Sequence, residues 1–514
     1  MAENEKEERN NSDKAETQTN TQFEQVLTKI GLFGPFQIFT CIVVQYASIQ
    51  WAGMTSFMTE VGHLSPMKWN CTFDGNSKIM NNSLLEKPES CPKDAAKHCQ
   101  ALNPAFVSLK TEWNLICENS SAELYLTLAF YIGQLIGFFL GGHLGDNFGR
   151  KRFLVGSQFL VIITSVLSIG ATKWSYYAIG QFLSGLFLGI IEVTALTLLM
   201  EYTDCKYRMI PNALFQWTIG YVVLAIIAML THNFRLYIIF INLFAAPLLI
   251  GFMLFIESPR WVIVRGDIKR ATKLLQEMCY RWSNKGVSIK EEELEAIPIE
   301  PFRYHTFVDM FRSRKMIIQT VILLAAFFIH DLMFDLYAFT ADTTVTSSND
   351  SFIHMLFFGL LRSPIPFLFV YLDWKFVKFG RKTLLLLALG VNAVCLLICV
   401  LLQLVGLENK HWLVLVFSII AMLNNESALN MAVIQITAVA YPTTLRCTAY
   451  GLFYTVKTFS TIIHLSWFWQ LYYMWNPSTH LVTGLLNLIL FGVVFKFQTE
   501  TKGKPLPDRL CDVL

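Results

Sequence analysis

The feature that most constrains this chain is a series of about twelve apolar runs, each long enough to cross a lipid bilayer as a helix of about twenty residues. They fall near 31–53, 122–144, 153–172, 175–200, 211–231 and 235–256. After a polar stretch they resume near 315–338, 351–372, 383–405, 411–439, 448–470 and 478–497. In hydrocarbon a segment must satisfy its own backbone hydrogen bonds, which a helix does and an open sheet cannot. The runs therefore predict an all-α membrane protein with twelve transmembrane helices in two six-helix bundles. The 15% charged content agrees, since soluble chains carry about a quarter. A net charge of +3 over 514 residues gives no reason to expect nucleic acid as a partner. The expected partner surface is the lipid bilayer.

Short loops set the orientation. Gly149-Arg150-Lys151-Arg152, Lys206 with Arg208, Lys375 through Lys382, and Arg446 share one side with the basic residues of 257–314 and of the tail 498–514. The opposite short loops hold only Lys173, Arg235 and Lys410. The positive-inside rule makes the first side cytoplasmic and puts both termini there. The polar segment 1–30 has no apolar core of signal-peptide length and reads as a disordered cytoplasmic tail. The expected organisation is then a bundle over 31–256, a central cytoplasmic loop over 257–314, and a second bundle over 315–497. Loop 54–121 is left outside. It carries Cys71, Cys91, Cys99 and Cys117 and sequons at Asn70, Asn81 and Asn119, which together read as a disulfide-bonded, glycosylated ectodomain. Three connectivities are open for four cysteines.

A repeat explains why the helices number twelve. Gly142-His-Leu-Gly-Asp146-Asn-Phe-Gly149-Arg150-Lys151-Arg152 follows the second run, and Asp373-Trp-Lys-Phe-Val-Lys-Phe-Gly380-Arg381-Lys382 follows the eighth. An acid, a tight glycine turn and a basic pair recur at matching junctions of two halves, as in secondary transporters built from related bundles. The chemistry is that of a latch. Asp146 can accept hydrogen bonds from a helix N-terminus or a guanidinium, and Arg150 and Arg208 can pair with carboxylates such as Glu201 and Glu257.

At 142–152 the sequence resembles the signature loop of the major facilitator superfamily. Glu257-Ser258-Pro259-Arg260-Trp261 after the sixth run resembles the hallmark of its organic-ion transporter branch, the solute carrier family 22 type. Tyr441-Pro442-Thr443 with Arg446, and Glu500-Thr501-Lys502-Gly503 with Pro505-Leu506-Pro507, are similar to further motifs of that branch. The resemblance covers nearly the whole chain in order. It implies a gate built from Gly142, Asp146, Gly149, Arg150, Glu201, Arg208, Glu257, Arg260, Arg381 and Arg446. It also implies a plasma-membrane carrier. Three positions depart from the pattern. Val439 stands where the branch has Glu, Thr499 where it has Pro, and the first loop has four cysteines rather than six. A weaker second-half latch is expected.

Charges deep in membrane helices are costly unless they face water or a partner, so they mark candidate substrate contacts. Here they are Glu192, Asp331, Asp335, Arg362, Glu426 and Lys457. Asp331 and Asp335 share a helical face. The competing role is helix pairing, Glu192 with Lys457 or an Asp with Arg362. The resemblance places Glu192 where organic-cation carriers have an aromatic cavity residue, and Gln216 at a polar cavity position. It puts Thr458 where the branch has its charge-selecting residue, with Lys457 turned about 100° away. Trp217, Tyr221, Phe327, Phe328, Phe334 and Tyr454 are candidate aromatic walls. Four acids against two bases favour a cation or carnitine-like zwitterion; Lys457 favours an anion. His330, Asp331 and Asp335 can also serve as a proton relay. No Walker loop, His-Glu-x-x-His, Gly-x-Ser-x-Gly or Cys/His metal spacing is present. The sequence thus predicts an alternating-access transporter of small organic ions, without cofactor, metal or catalytic residues. An organic-anion carrier and a non-transporting sensor on the same fold are the alternatives.

Overall fold

The computed structural model describes Val26 and residues 33–510, except 60, 65–67, 74–75, 82–91, 93–94, 103, 105, 215–217, 283–288, 296, 298–302, 343–347, 406–410, 466–473 and 476. Apart from Val26, the expected N-terminal tail lies outside the described residues.

Twelve membrane-length helices run through the described residues. They are α1 (Pro35–Thr59), α2 (Ser121–Phe148), α3 (Arg150–Ile169), α4 (Trp174–Tyr202), α5 (Met209–Thr231) and α6 (Phe234–Met253). The second half continues with α7 (Arg314–Asp342), α8 (Ser348–Arg362, resumed as Ile365–Lys375), α9 (Arg381–Leu404), α10 (Trp412–Ala440), α11 (Arg446–Ile463) and α12 (Ser478–Phe497). Ten of them meet a simple length and apolarity test; α1 and α11 fall short. The reason is physical. Both bury polar side chains inward, Gln37, Ser48, Gln50 and Thr55 on α1 and Thr448, Thr458, Ser460 and Thr461 on α11. Hydropathy drops where a helix lines a polar interior rather than lipid.

Three helices are interrupted. Pro247 sits inside α6, Ser363-Pro364 splits α8, and a π-turn over Asn425–Leu429 bulges α10. Such breaks persist in a membrane only where neighbours satisfy the freed backbone, and π-bulges collect at functional sites. At this one the Glu426 carbonyl accepts from Arg362 Nη2 at 3.3 Å, while the Asn424 and Asn425 side chains donate to Asn392 Oδ1 (2.6 Å) and the His330 carbonyl (2.9 Å). A matching polar chain, Gln158 to Gln50 to Asn242 (2.8 and 3.3 Å), ties α3, α1 and α6.

α2 and α4 pack backbone to backbone. Gly133, Gly137 and Gly141 line one face of α2 at four-residue spacing, opposite Gly185 and Gly189 of α4. A Cβ on Gly137 would collide with the Leu186 carbonyl, and one on Gly189 would lie 2.7 Å from the Gln134 carbonyl. This is the small-residue seam by which membrane helices approach closely. The halves meet along two further seams. In the first, α2 crosses α11, where a Cβ on Gly142 would stand 2.8 Å from the Cys447 carbonyl. In the second, α5 meets α8 with Tyr221 against Phe358.

Between α1 and α2 lies a three-stranded antiparallel sheet, β1 (Lys68–Phe73) flanked by β2 (Asn76–Asn81) and β3 (Cys99–Ala101). Cys71 faces Cys99 across the β1–β3 pair and is bonded to it. Cys117 is also in a disulfide; Cys91 lies outside the described residues. Asn119 is exposed and Asn70 half-buried. The ectodomain rests on both halves, through Arg235–Glu112 (3.0 Å) on one and Phe106 against Phe352 on the other. At the opposite, basic face, helices Pro259–Val264 and Ile268–Trp282 pack beneath the first half, with Trp282 stacked on Phe39.

Candidate functional site

The basic face is closed by one buried cluster. Gly149 ends α2 at φ +105°, a left-handed conformation that favours glycine. That turn swings Arg150, fully buried, back under Asp146. Its Nη2 donates to Asp146 Oδ1 (2.7 Å), Glu201 Oε1 (3.2 Å) and the Thr443 carbonyl (2.7 Å). Asp146 meanwhile accepts from the backbone N–H of Cys447 (3.3 Å) and Thr448 (2.7 Å), so it caps α11 of the other half. Both expected roles of Asp146 are realised at once. Arg446 completes the cluster, Nη1 to Glu201 Oε1 at 3.0 Å.

Glu257 has a different role from the one expected. It takes no guanidinium from Arg150; its carboxylate accepts from the backbone N–H of Arg150 (3.1 Å) and Lys151 (3.3 Å), capping α3. Glu500 does the same for α9 in the second half, from Arg381 N (2.8 Å) and Lys382 N (3.2 Å). The remaining second-half contacts stay within that half. Arg381 pairs with Asp373 at 2.6 Å, and Lys502 reaches Asp373 at 3.1 Å. The position matching Glu201 is the apolar Val439; the same spacing separates Glu201 from Arg208 and Val439 from Arg446. The repeat is thus present in sequence, while among the described residues an acid cluster joins the halves only at Asp146 and Glu201. Arg208 is buried beside α10, its carbonyl accepting from Gln435 at 2.9 Å.

The tail straps this face. Asp508 accepts from Arg260 Nη1 through both oxygens (3.1 Å each) and from Thr443 Oγ1 (2.7 Å). The Pro507 carbonyl accepts from Arg446 Nη2 at 2.9 Å. Asp508 does not stand out in sequence, because a contact between segments this far apart leaves no local pattern.

Above the latch lies a cavity lined from both halves by Thr55, Tyr131, Gln134, Phe138, Glu192, Asp331, Arg362, Glu426, Asn430, Tyr454, Lys457, Thr458 and Thr461. It is small, about 40 Å³, and its lining comes from both halves. Five of the seven predicted substrate residues converge here. Gln216 lies outside the described residues, as does the side chain of Asp335.

Lys457 Nζ lies 3.7 Å from Asp331 Oδ1, and Arg362 Nη2 lies 2.9 Å from Glu426 Oε2; the Asp335 side chain, also expected to face Arg362, lies outside the described residues. His330 Nε2 approaches Glu426 Oε1 at 3.1 Å, and Thr461 Oγ1 donates to Asp331. Lys457 and Thr458 both border the cavity although about 100° apart on α11, because the cavity wraps around that helix. Of the expected aromatic wall, Tyr454 borders the cavity; Trp217 and the side chain of Phe334 lie outside the described residues. Phe327 stacks on Phe453, Tyr221 packs on Phe358, and the rings actually present are Tyr131 and Phe138. Tyr131, Gln134 and Phe138 share one helical face, a signal the sequence carried.

Residues 77–508 match the family of sugar (and other) transporters. The chain belongs to this family. Within it, the chain is 25% identical to solute carrier family 22 member 7 of Homo sapiens over 453 residues, 85% of this chain and 79% of that protein. It is 22% identical to the organic cation transporter protein of Drosophila melanogaster over 534 residues, 95% and 94% of the two chains. Among solved structures, the proton:xylose symporter XylE bound to 6-bromo-6-deoxy-D-glucose superposes with a TM-score of 0.67 at 15% identity, covering 92% of this chain and 98% of that one. A partially occluded inward-open XylE from E. coli gives 0.61 at 14% identity, covering 92% and 100%. Family, relatives and fold agree on a multi-pass transporter with the major facilitator architecture.

Proposed function

We propose that this family member carries small organic ions across the plasma membrane by alternating access, cations or carnitine-like zwitterions being the favoured class. The observation that carries this is the meeting of three acids and two bases on one inter-half cavity directly above a closed polar latch. Buried charge on that scale is costly in a structural core and useful where a charged solute must be desolvated in stages. The basic face is read as cytoplasmic, with both termini there, so the described state is closed inward. The relatives named for organic cation transport and for solute carrier family 22 support the substrate class.

An organic anion is the competing substrate, favoured by Lys457 and Arg362 on the wall. Both bases already face an acid, which weakens it. Uptake of labelled cations and anions into proteoliposomes under an imposed potential separates the two. A carried cation gains about 2.3 kcal/mol per charge per 100 mV, enough for roughly 50-fold accumulation. Potential-driven uptake of an anion from the negative to the positive side, or no uptake of either class, would refute the reading.

A further inference from the structure

The basic face carries a second concavity, separate from the central cavity and built from the first half together with the segment after α6. It is an open cleft of about 660 Å³ at the basic ends of α2, α3 and α6. Four bases line it: Lys151 and Arg152 at the start of α3, Arg265 after the short helix Pro259–Val264, and Arg270 in the helix that follows. Among the described lining residues Glu257 is the one acid, and its carboxylate already caps α3 through the N–H groups of Arg150 and Lys151. The N-terminus of α3 is therefore taken, and the bases remain. Among the described residues no ion pair reaches the side chains of Lys151, Arg152 or Arg270.

The repeat supplies an internal comparison. At the matching junction of the second half the bases are used up. Arg381 pairs with Asp373, the Lys382 ammonium donates to the Phe495 carbonyl at 3.0 Å, and Thr383 stands where the first half has Arg152. Basic loops orient a chain in a membrane whether or not they form a site; what the first half adds is bases gathered on one concave wall. Part of that wall is fixed before any ligand arrives. The Arg265 guanidinium lies 4.5 Å from the centre of the Trp261 ring, whose Nε1 donates to the Asp146 carbonyl at 2.7 Å.

The rim of the cleft narrows the ligand. Phe148 and Met253, both more than half exposed, border it beside Val155, and the space where a Cβ on Gly156 would stand is open. From Arg152 to Gly156 the lining passes from charged to apolar within about 6 Å along α3, as a lipid does where its headgroup meets its chains. Guanidinium forks and an ammonium suit phosphate oxygens. We infer that this cleft holds the phosphorylated headgroup of an anionic phospholipid from the leaflet at the basic face, its acyl chains running past Val155 and Gly156. Basic pockets between membrane helices recognise such headgroups by charge. A zwitterionic headgroup brings no net charge to meet four bases, and a soluble phosphate leaves the apolar rim unused.

Native mass spectrometry of the purified full-length protein tests this. The protein is titrated in nonionic detergent with phosphatidylinositol bisphosphate, phosphatidylserine or phosphatidylcholine, and retained lipids are counted by mass. The expected result is one retained phosphatidylinositol bisphosphate, bound tenfold or more tighter than phosphatidylcholine, with phosphatidylserine between. Inositol trisphosphate or inorganic phosphate in tenfold excess should fail to displace it. The triple variant Lys151→Gln/Arg152→Gln/Arg270→Gln should bind it roughly 100-fold more weakly, at about fivefold per base. Arg152→Lys/Arg270→Lys, which keeps the charge, should stay within about fivefold of wild type. Lys375→Gln/Lys378→Gln, on the same face of the second half, should change binding less than threefold, all variants being monodisperse. Equal retention of phosphatidylcholine, no saturable binding, affinity of the triple variant within threefold of wild type, or an equal loss in the second-half variant would each overturn the inference. Displacement by the tailless phosphates would overturn it too, assigning the cleft to a soluble ligand.

Discussion

Replacing Asp146 by Ala tests the latch most directly. In the closed state this carboxylate accepts a charge-assisted bond from Arg150 at 2.7 Å and caps α11 through Cys447 N and Thr448 N. Losing a helix cap costs about 1 kcal/mol and a hydrogen bond to a charged group about 1.5–3 kcal/mol. Arg150 keeps Glu201 and the Thr443 carbonyl, so it is not stranded. When the basic face opens, water serves the same groups, and the loss then falls on the closed state alone. A penalty of about 3 kcal/mol moves the closed-to-open ratio by roughly 150-fold. Distances between labels introduced at the exposed Arg152 and Lys375, one in each half, report the change. Their distribution should shift from a single short population to a dominant long one. In detergent, where both faces are accessible, substrate Kd should change by less than about threefold while turnover falls steeply. A variant that keeps the short distance, or one that loses affinity and keeps turnover, would refute the reasoning.

Gly142→Val should act in the same direction by steric means, since its Cβ would stand 2.8 Å from the Cys447 carbonyl and 2.9 Å from Thr448 Cα; the same labels should show the basic face held open and transport lost. Arg260→Ala and Asp508→Ala should weaken the closed state non-additively, with a coupling of about 1–3 kcal/mol in a double-mutant cycle read from those distances. Strict additivity would mean that the strap carries no gating energy. Cys71→Ser removes a bridge closing 28 residues, which should lower ectodomain stability by about 3 kcal/mol, seen as faster proteolysis of that domain in intact vesicles; unchanged proteolysis would contradict it.

The helices were legible because lipid imposes a simple rule on length and polarity, and the latch because its residues cluster in short motifs. Glu257 shows where that legibility stops. The motif identified it as important, yet nothing local distinguishes an acid that pairs with a guanidinium from one that caps the next helix. The cavity charges were legible as a set, since burying Glu192, Asp331, Arg362, Glu426 and Lys457 in a membrane demands a reason. Their pairing was not, because it depends on how α7, α8, α10 and α11 rotate about their axes. The π-turn at Asn425–Leu429 adds to that difficulty by altering the phase of α10 just where Glu426 and Asn430 point into the cavity. Asp508 was invisible, its partner Arg260 lying 248 residues away in the central segment after α6.

The glycine seam between α2 and α4 makes those two helices one stiff plate. Glu192 is on it at cavity level, and Glu201 sits nine residues further along α4, about 13 Å away at the rise of a helix. A pivot of about 10° at the cavity therefore displaces the latch carboxylate by roughly 2 Å, beyond the reach of a hydrogen bond. The plate acts as a lever arm, turning a small adjustment around a ligand into the complete rupture of a distant lock. Damage to the glycine seam should consequently leave ligand recognition intact and disconnect it from motion.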